Sequence, residues 1–323
     1  MRLDSTRDSL VCNQPNRGRT ERKSKHNKNY TDEEEQDYRM RNFFDKLDYI
    51  EKHNHLYSKG EVNHKLNINK FADHTKEEVH SKYCGYKRGD LDSLEIKKVN
   101  YTLRSTNELP TNFDWRDYGY VTPVRDQGDC GACWAFSAMS VLESHILKKN
   151  RPVKHLSEQW LIDCSDMNCS GGWMGSAYDF MKQKGAIVED ELYQYTAAED
   201  ETCRNFSNNV NTTIKGVCMI EPYNETMLMH AVYTEGPICV ALNGSPDDFH
   251  HYSEGVYTNY KVCDPNTLTH AATLCGFGTE NGLDYWLLKN SWGTDWGEDG
   301  YIRVMRKNNT CGVTTAGCYP MIG

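Results

Sequence analysis

The sequence predicts an α+β fold in two dissimilar halves behind a long N-terminal helix, and three observations carry that expectation. Apolar residues recur at helical spacing from Cys133 through Val141, Leu142, Ile146 and Leu147. After a helix over 225–234, capped by Asn224 and stopped by Gly236, short strand-like runs take over: ICVALN, GVYTN, TLCGFG, YWLLKNS and YIRVMR. Upstream, the polar and basic residues 1–29 give way near Thr31 to TDEEEQDYRMRNFFDKLDYIEKHN, acidic in its first turn and then apolar at helical intervals.

Taken in order, residues 1–29 are expected to be disordered, because they carry high charge and almost no apolar content. The helix that follows offers Phe43, Leu47 and Ile50 as a core stripe. Residues 87–107 mix charges without periodicity, as an extended linker does. Ser157 precedes a helix over 158–163, and Gly185 closes one that starts near Met174.

The 323 residues, 38% hydrophobic, suffice for about two domains, and no apolar run is long enough to span a membrane. Thirteen cysteines and several N-x-[ST] sequons point to an oxidising, glycosylating route, yet residues 1–29 lack the apolar stretch of a secretory signal. The expectation is therefore that Met1 is not the native start and that the signal lies upstream of it.

The chemistry gathers in QGDCGACWAFS, 127–137. Cys133 opens a helix, where unpaired N–H groups and the helix dipole favour the thiolate, the nucleophilic form. A spaced CxxC by itself also fits a redox pair, a zinc half-site or half of a structural disulfide, although no second CxxC completes a zinc site. His270 alone reads as a buried histidine and Asn290 alone as a turn residue. Together with Gln127 they form one constellation. Cys-Gly-Ala-Cys-Trp fits the C-G-[SA]-C-[WY] signature around the nucleophile of papain and the cathepsins, whose His and Asn follow about 130–150 residues downstream; His270 lies within that span and Asn290 just past it.

From about Tyr30 to Gly323 the chain resembles the papain family of cysteine peptidases, nearest its cathepsin L-like branch. Glu35, Arg39, Phe43, Ile50 and Asn54 match the family's ExxxRxxxFxxNxxxIxxxN propeptide pattern, with Lys46 at one Asn slot. Asn69, Phe71 and Asp73 match GxNxFxD, with Asn67 at the Gly slot. The resemblance implies a papain-like enzyme, a helical half and a β-barrel half with the active-site cleft between them, preceded by a small helical inhibitory propeptide that crosses the cleft backwards. The expected boundaries are 1–29 disordered, 30–107 propeptide and linker, and 108–323 peptidase, with cleavage before Leu109.

It further implies that Cys133 attacks a peptide carbonyl as thiolate beside a His270 imidazolium. Asn290 would hold the ring, Trp292 would shield it, and Gln127 would donate to the oxyanion. Thr269 departs from the Asp or Asn more usual before the histidine. Gly171 and Gly172 would let substrate backbone approach. The S2 pocket would comprise Trp173, Met174, Ala241, Leu268 and Ala316, none charged, so hydrophobic or aromatic P2 residues and endopeptidase action are expected. The seven residues between Tyr195 and Cys203 leave no place for a His-His occluding loop. By position, the family's bridges fall on Cys130–Cys169, Cys164–Cys203 and Cys263–Cys311. A fourth, Cys218–Cys318, is a further expectation, with Cys239 and Cys275 as buried thiols.

Residues 1–107 hold 22 Lys+Arg against 18 Asp+Glu, and residues 108–323 hold 15 against 28, so propeptide and enzyme attract and acid should loosen them. The expected partners are protein and peptide substrates, the chain's own propeptide and cystatin-like inhibitors. A lysosomal or secreted monomer is expected, without cofactor, metal, nucleic acid or membrane. The competing readings are a catalytically silent papain-like binding or inhibitor protein and a CxxC oxidoreductase, which would tolerate loss of His270.

Overall fold

The computed structural model describes residues 30, 32–90, 96–98, 109–200, 202–204, 206–207, 210–259 and 261–323. Residues 1–29, expected to be disordered, and most of the linker before Leu109 lie outside these.

Helix α1, Glu33–Ser58, starts where the Asp32 carboxylate accepts from the Glu35 N–H at 2.7 Å, which puts three glutamates at the positive end of the helix dipole. Helix α2, Lys76–Tyr83, opens with a capping box of Thr75 and Glu78. Arg39 ties the two helices by donating to Glu78 at 2.6 Å. Strand β1, His64–Leu66, is clamped by Asn54, whose side chain donates to the Leu66 carbonyl and accepts its N–H, both at 2.9 Å. The propeptide-pattern residues Arg39 and Asn54 thus join elements that are remote along the chain.

In the enzyme part, helix α3, Cys133–Lys148, is buried from Cys133 through Ile146, as the centre of a core must be. Around it lie α4, Glu158–Cys164, capped by Ser157 Oγ on the Trp160 N–H at 3.0 Å, and α5, Met174–Lys184, which ends at Gly185 in the left-handed region with φ 61°. The sheet-rich half contains β3 (Phe113–Asp114), β4 (Ile214–Met219), α6 (Glu225–Thr234), β5 (Ile238–Leu242), α7 (Asp247–His250), β6 (Tyr252–Tyr257), β7 (His270–Glu280), β8 (Leu283–Lys289), β9 (Tyr301–Met305) and β10 (Gly317–Ile322). With β2, Ile96–Lys98, the strand order is β1-β6-β9-β8-β7-β5-β10-β4-β2, and β3 pairs with β7.

Both ends of that path are propeptide or linker strands. β1 adds antiparallel to β6 and β2 adds parallel to β4, so the enzyme's exposed strand edges are covered by its own N-terminal part. The hairpin of β7 and β8 pairs Thr273 with Lys289, which brings His270 and Asn290 to one end of the sheet. That end meets the start of α3, where Ser137 Oγ donates to the Ala272 carbonyl at 2.8 Å.

Disulfides join Cys130 to Cys169, Cys164 to Cys203 and Cys263 to Cys311. The expected fourth bridge is not formed, since Cys218 and Cys318 are both buried and outside any disulfide. Register explains this: Cys318 pairs with Met219 and Cys218 with Tyr319, so the two thiols leave the sheet on opposite faces. Cys318 instead lies opposite Cys239 on β5.

Candidate active site

Cys133 is the first residue of α3. Its sulfur is wholly buried and receives the Gly85 N–H of the propeptide at 3.3 Å. His270, at the start of β7, has Nε2 2.7 Å from Asn290 Oδ1 and Nδ1 3.2 Å from the Tyr83 carbonyl. The Trp292 ring lies 4.7 Å from the imidazole, centre to centre, and is itself buried, so it keeps water from the His270–Asn290 bond. Gln127 Nε2 donates to the Cys130 carbonyl at 2.8 Å and to the Tyr83 carbonyl at 3.2 Å.

The sequence-expected residues Gln127, Cys133, His270 and Asn290 are therefore brought together around one stretch of propeptide backbone, 83–85. Ser291 was not foreseen: its hydroxyl donates to Gln127 Oε1 at 2.7 Å and so turns the amide nitrogen toward the cleft. Its signal in the sequence was only its place after Asn290. Tyr83 was also missed, because its part is played by a backbone carbonyl, which no side-chain pattern reveals.

In this closed state burial works against the expected thiolate–imidazolium pair. Burial pushes the Cys133 thiol up to about 11, against the N–H groups of Gly85, Ala271, Trp134 and Cys133 that favour the anion. Burial likewise pulls His270 down to about 4, although Asn290 and the Tyr83 carbonyl favour its charged form. Both shifts favour the neutral forms, because the propeptide covers the site and excludes the water that would solvate a pair of charges. Helix position alone favoured the thiolate, and covering the cleft overrides it.

Gly171 and Gly172 line the wall opposite. Gly172 N–H donates to the Gly85 carbonyl and Lys87 N–H to the Gly172 carbonyl, each at 2.9 Å, forming a parallel bridge between Tyr86 and Gly172. Gly171 has φ 120°, and a Cβ there would meet the Gly85 carbonyl oxygen at 2.6 Å, so side chains are excluded along this wall. Tyr86 N–H donates to the Thr269 carbonyl at 3.0 Å and its side chain is buried. Of the pocket candidates, Trp173, Met174 and Ala241 are buried, while Leu268 and Ala316 are partly buried against the same core. A Cβ on Gly89 would collide with the Trp173 ring, so the propeptide passes directly over it.

The fit is tightest at Gly85, where a Cβ would run into the Gly131 carbonyl. Gly85→Ala is therefore expected to weaken the propeptide as an inhibitor by about 100-fold, since the segment must withdraw and surrender its bonds to Cys133 and Gly172. Comparing processing rates of the two proenzymes at neutral pH checks this, and equal rates would refute the close fit.

Compared with known proteins, residues 109–321 match the family model for papain family cysteine protease, and residues 23–79 match that for the cathepsin propeptide inhibitor domain (I29). The chain is similar to digestive cysteine proteinase 1 of Homarus americanus, 42% identical with 93% of each chain covered. It is similar to cathepsin L of Sarcophaga peregrina, 40% identical with 93% of this chain and 91% of that one covered. Its fold is similar to that of digestive procathepsin L2 proteinase from Tenebrio molitor larval midgut, with a TM-score of 0.88 at 36% identity, covering 95% of this chain and 99% of that one.

Proposed function

This chain belongs to the papain family of cysteine proteases, a cathepsin L-like enzyme made as a proenzyme, and from that premise we propose that Cys133, His270, Asn290 and Gln127 carry its catalysis. One observation carries the assignment. The Tyr83 carbonyl accepts from Gln127 Nε2 and lies 3.2 Å from His270 Nδ1, while the next peptide N–H but one points at Cys133 Sγ, so propeptide backbone lies where substrate backbone must lie.

When the segment leaves, His270 Nδ1 is free to take the Cys133 proton, and Asn290 keeps the ring turned for it through Nε2. The thiolate attacks the substrate carbonyl carbon. The Gln127 amide and the Cys133 backbone N–H at the helix start then hold the oxyanion, a donor whose loss typically costs about 100-fold to 1000-fold. His270 protonates the leaving amine and afterwards draws a proton from the water that hydrolyses the thioester. In the proenzyme the sulfur faces an N–H, and the segment runs parallel to residues 171–172, so the propeptide sits in the cleft without being cut. The boundaries 30–107 for propeptide and linker and 108–323 for the peptidase follow from this reading. An epoxide that alkylates active-site thiols tests it: after acid processing it should label Cys133 alone, and a label on another cysteine would overturn the assignment.

The same reading sets specificity. Tyr86 buries an aromatic ring beside Gly172, with its hydroxyl near enough to Cys318 to be raised further after burial has raised it. Cys318 lies two residues past Ala316, which supports reading Trp173, Met174, Ala241, Leu268 and Ala316 as a pocket that takes an aromatic side chain, with Tyr86 beside it. Endopeptidase cleavage is expected after substrates with Phe, Tyr or Leu at P2, at least about tenfold faster than with Arg, because a guanidinium would be desolvated there without a carboxylate. Peptide libraries read this directly, and faster cleavage with Arg at P2 would refute the pocket. Cystatin-like inhibitors would enter the same cleft. A lysosomal or secreted digestive role for a monomer fits the three bridges and the relatives.

A further inference from the structure

Among the described residues the propeptide carries one cysteine, Cys84, and it lies in the cleft. It caps the C-terminal end of α2, giving its N–H to the His80 carbonyl. The carbonyl just before it, of Tyr83, rests on His270 and Gln127, and the N–H just after it, of Gly85, rests on Cys133 Sγ at 3.3 Å. Peptide geometry then keeps the Cα of Cys84 within about 6 Å of the Cys133 sulfur. A side-chain rotation and a small backbone adjustment bring such a pair to disulfide spacing. The half-buried Cys84 thiol is at present turned toward Thr269 and Ser245, whose hydroxyls are 3.0 Å apart, and Ser245 Oγ is also bonded to His80 Nδ1 at 2.9 Å. The remaining free cysteines, Cys218, Cys239, Cys275 and Cys318, all lie in strands of the sheet and are buried.

We propose that Cys84 and Cys133 form a reversible disulfide that locks the proenzyme, a redox latch laid over its release by acid. The inference rests on the reading of Cys133 as the reactive thiol. The oxidant is a small-molecule disulfide such as glutathione disulfide, the class of reagent that can also supply the three structural bridges. The Cys84 thiolate attacks one sulfur of glutathione disulfide, forming a mixed disulfide and expelling one glutathione thiolate. The Cys133 thiolate then attacks the Cys84 sulfur, forming the Cys84–Cys133 bond and expelling the second. The two cysteines lose two electrons and two protons, and glutathione disulfide leaves as two thiols. Two equivalents of thiol run the sequence backwards.

Burial governs when this happens. In the docked state the Cys84 thiol is pushed up to about 12, by burial first and the neighbouring Cys133 charge next, and Cys133 is pushed up to about 11. Neutral thiols exchange slowly, so the bridge forms as the segment docks and is then shielded. Acid alone leaves a covalent bond intact, and with its nucleophile tied up the proenzyme cannot process itself until a reductant arrives.

The test uses the full proenzyme, refolded at mildly alkaline pH in the presence of glutathione disulfide so that the segment docks under oxidant, freed of excess reagent and divided. Non-reducing peptide mapping of one half should yield the Cys84 and Cys133 peptides joined. The other half, acidified, should process at least about tenfold more slowly than reduced protein and recover with dithiothreitol. Cys84→Ser and Cys84→Ala should lack both the joined peptides and the delay, while reduced Cys84→Ser processes normally and so is folded. Finding Cys84 free after oxidation, or an equal delay in Cys84→Ser from a glutathione adduct on Cys133, would overturn the latch. Failure of the underlying reading looks different: the epoxide would then label some cysteine other than Cys133 in reduced, processed enzyme.

Discussion

His270→Ala is expected to fold, keep its propeptide and remain uncut in acid, with peptidase activity down by about 10,000-fold or more once the propeptide is removed by another protease. The imidazole does three things that no neighbour can take over. Its Nδ1 faces the cleft beside Cys133, its Nε2 is held by Asn290 at 2.7 Å, and on the proposed assignment it carries the proton between thiol, leaving amine and water. Without it no base stands beside Cys133 to take its proton, and the thiol attacks poorly. Epoxide labelling of Cys133 should vanish in parallel with activity. A CxxC oxidoreductase predicts the opposite, because its thiols need no histidine, and retained labelling in His270→Ala would favour it. Asn290→Ala serves as the graded control: losing one hydrogen bond to a ring still confined by Trp292 should cost only about tenfold.

Acid is expected to weaken the grip of the propeptide by at least about 100-fold between neutral pH and pH 4.5, and buried histidines set that slope. His64 on β1 is wholly buried at the interface, with neither ring nitrogen hydrogen-bonded; it faces His53 on α1 and Asp248, Tyr252 and Tyr257 of the enzyme. Burial first, and the His53 charge next, hold it down to about 3. His251, whose carbonyl accepts the Asn67 N–H of the propeptide, is pulled by burial to about 4, and His250, stacked near Phe71, is held well below the usual range. A histidine held neutral in the complex but free to charge near pH 6.5 outside it leaves affinity intact above that pH. Affinity then falls by up to one decade per pH unit as pH drops from 6.5 toward the value in the complex. Asp248, pushed up by burial, offsets part of this only at the acid end.

Ion pairs add a salt-sensitive part. Lys46–Asp247, Lys65–Glu254, Lys70–Asp126 and Lys82–Asp129 each set a propeptide lysine on an enzyme carboxylate, at 2.5, 3.2, 2.7 and 2.7 Å, which is the charge complementarity expected from composition. Lys46, the departure from the propeptide pattern, is thus used across the interface. Such pairs, several of them well exposed, contribute about 0–1 kcal/mol each, less than the histidines withdraw. The measurement is dissociation of the two pieces of a Cys133→Ala proenzyme nicked in its linker, followed against pH and salt. His64→Gln should remove about one decade per pH unit of the slope, and an unchanged slope would remove His64 from the account.

What could be read from the sequence was whatever is local. Ser157 and Asn224 sit where caps belong, Gly185 takes the left-handed turn that ends α5, and β5 through β9 follow their apolar runs. β4 and β10 were not foreseen: each is recognisable only by its partner, and Pro320 within β10 argues against a strand until the register is known. The Cys218–Cys318 expectation failed for the same reason, since one step of register decides which face a cysteine leaves by.

By itself the sequence determined the reagents and the family: a cysteine at a helix start, a distant histidine, asparagine and glutamine, and a propeptide pattern ahead of them. These are properties of residue type, order and short-range backbone preference, which survive without knowledge of contacts. Only the tertiary structure decided the state those reagents are in. Protonation depends on how much water the rest of the chain excludes, and here propeptide residues 83–85 help exclude it, pushing Cys133 up and His270 down, each toward its neutral form. It also decided that Tyr83, Gly85 and Cys84 matter at all, because a carbonyl, an N–H and a thiol almost fifty residues before the nucleophile acquire meaning only when folding lays them across it.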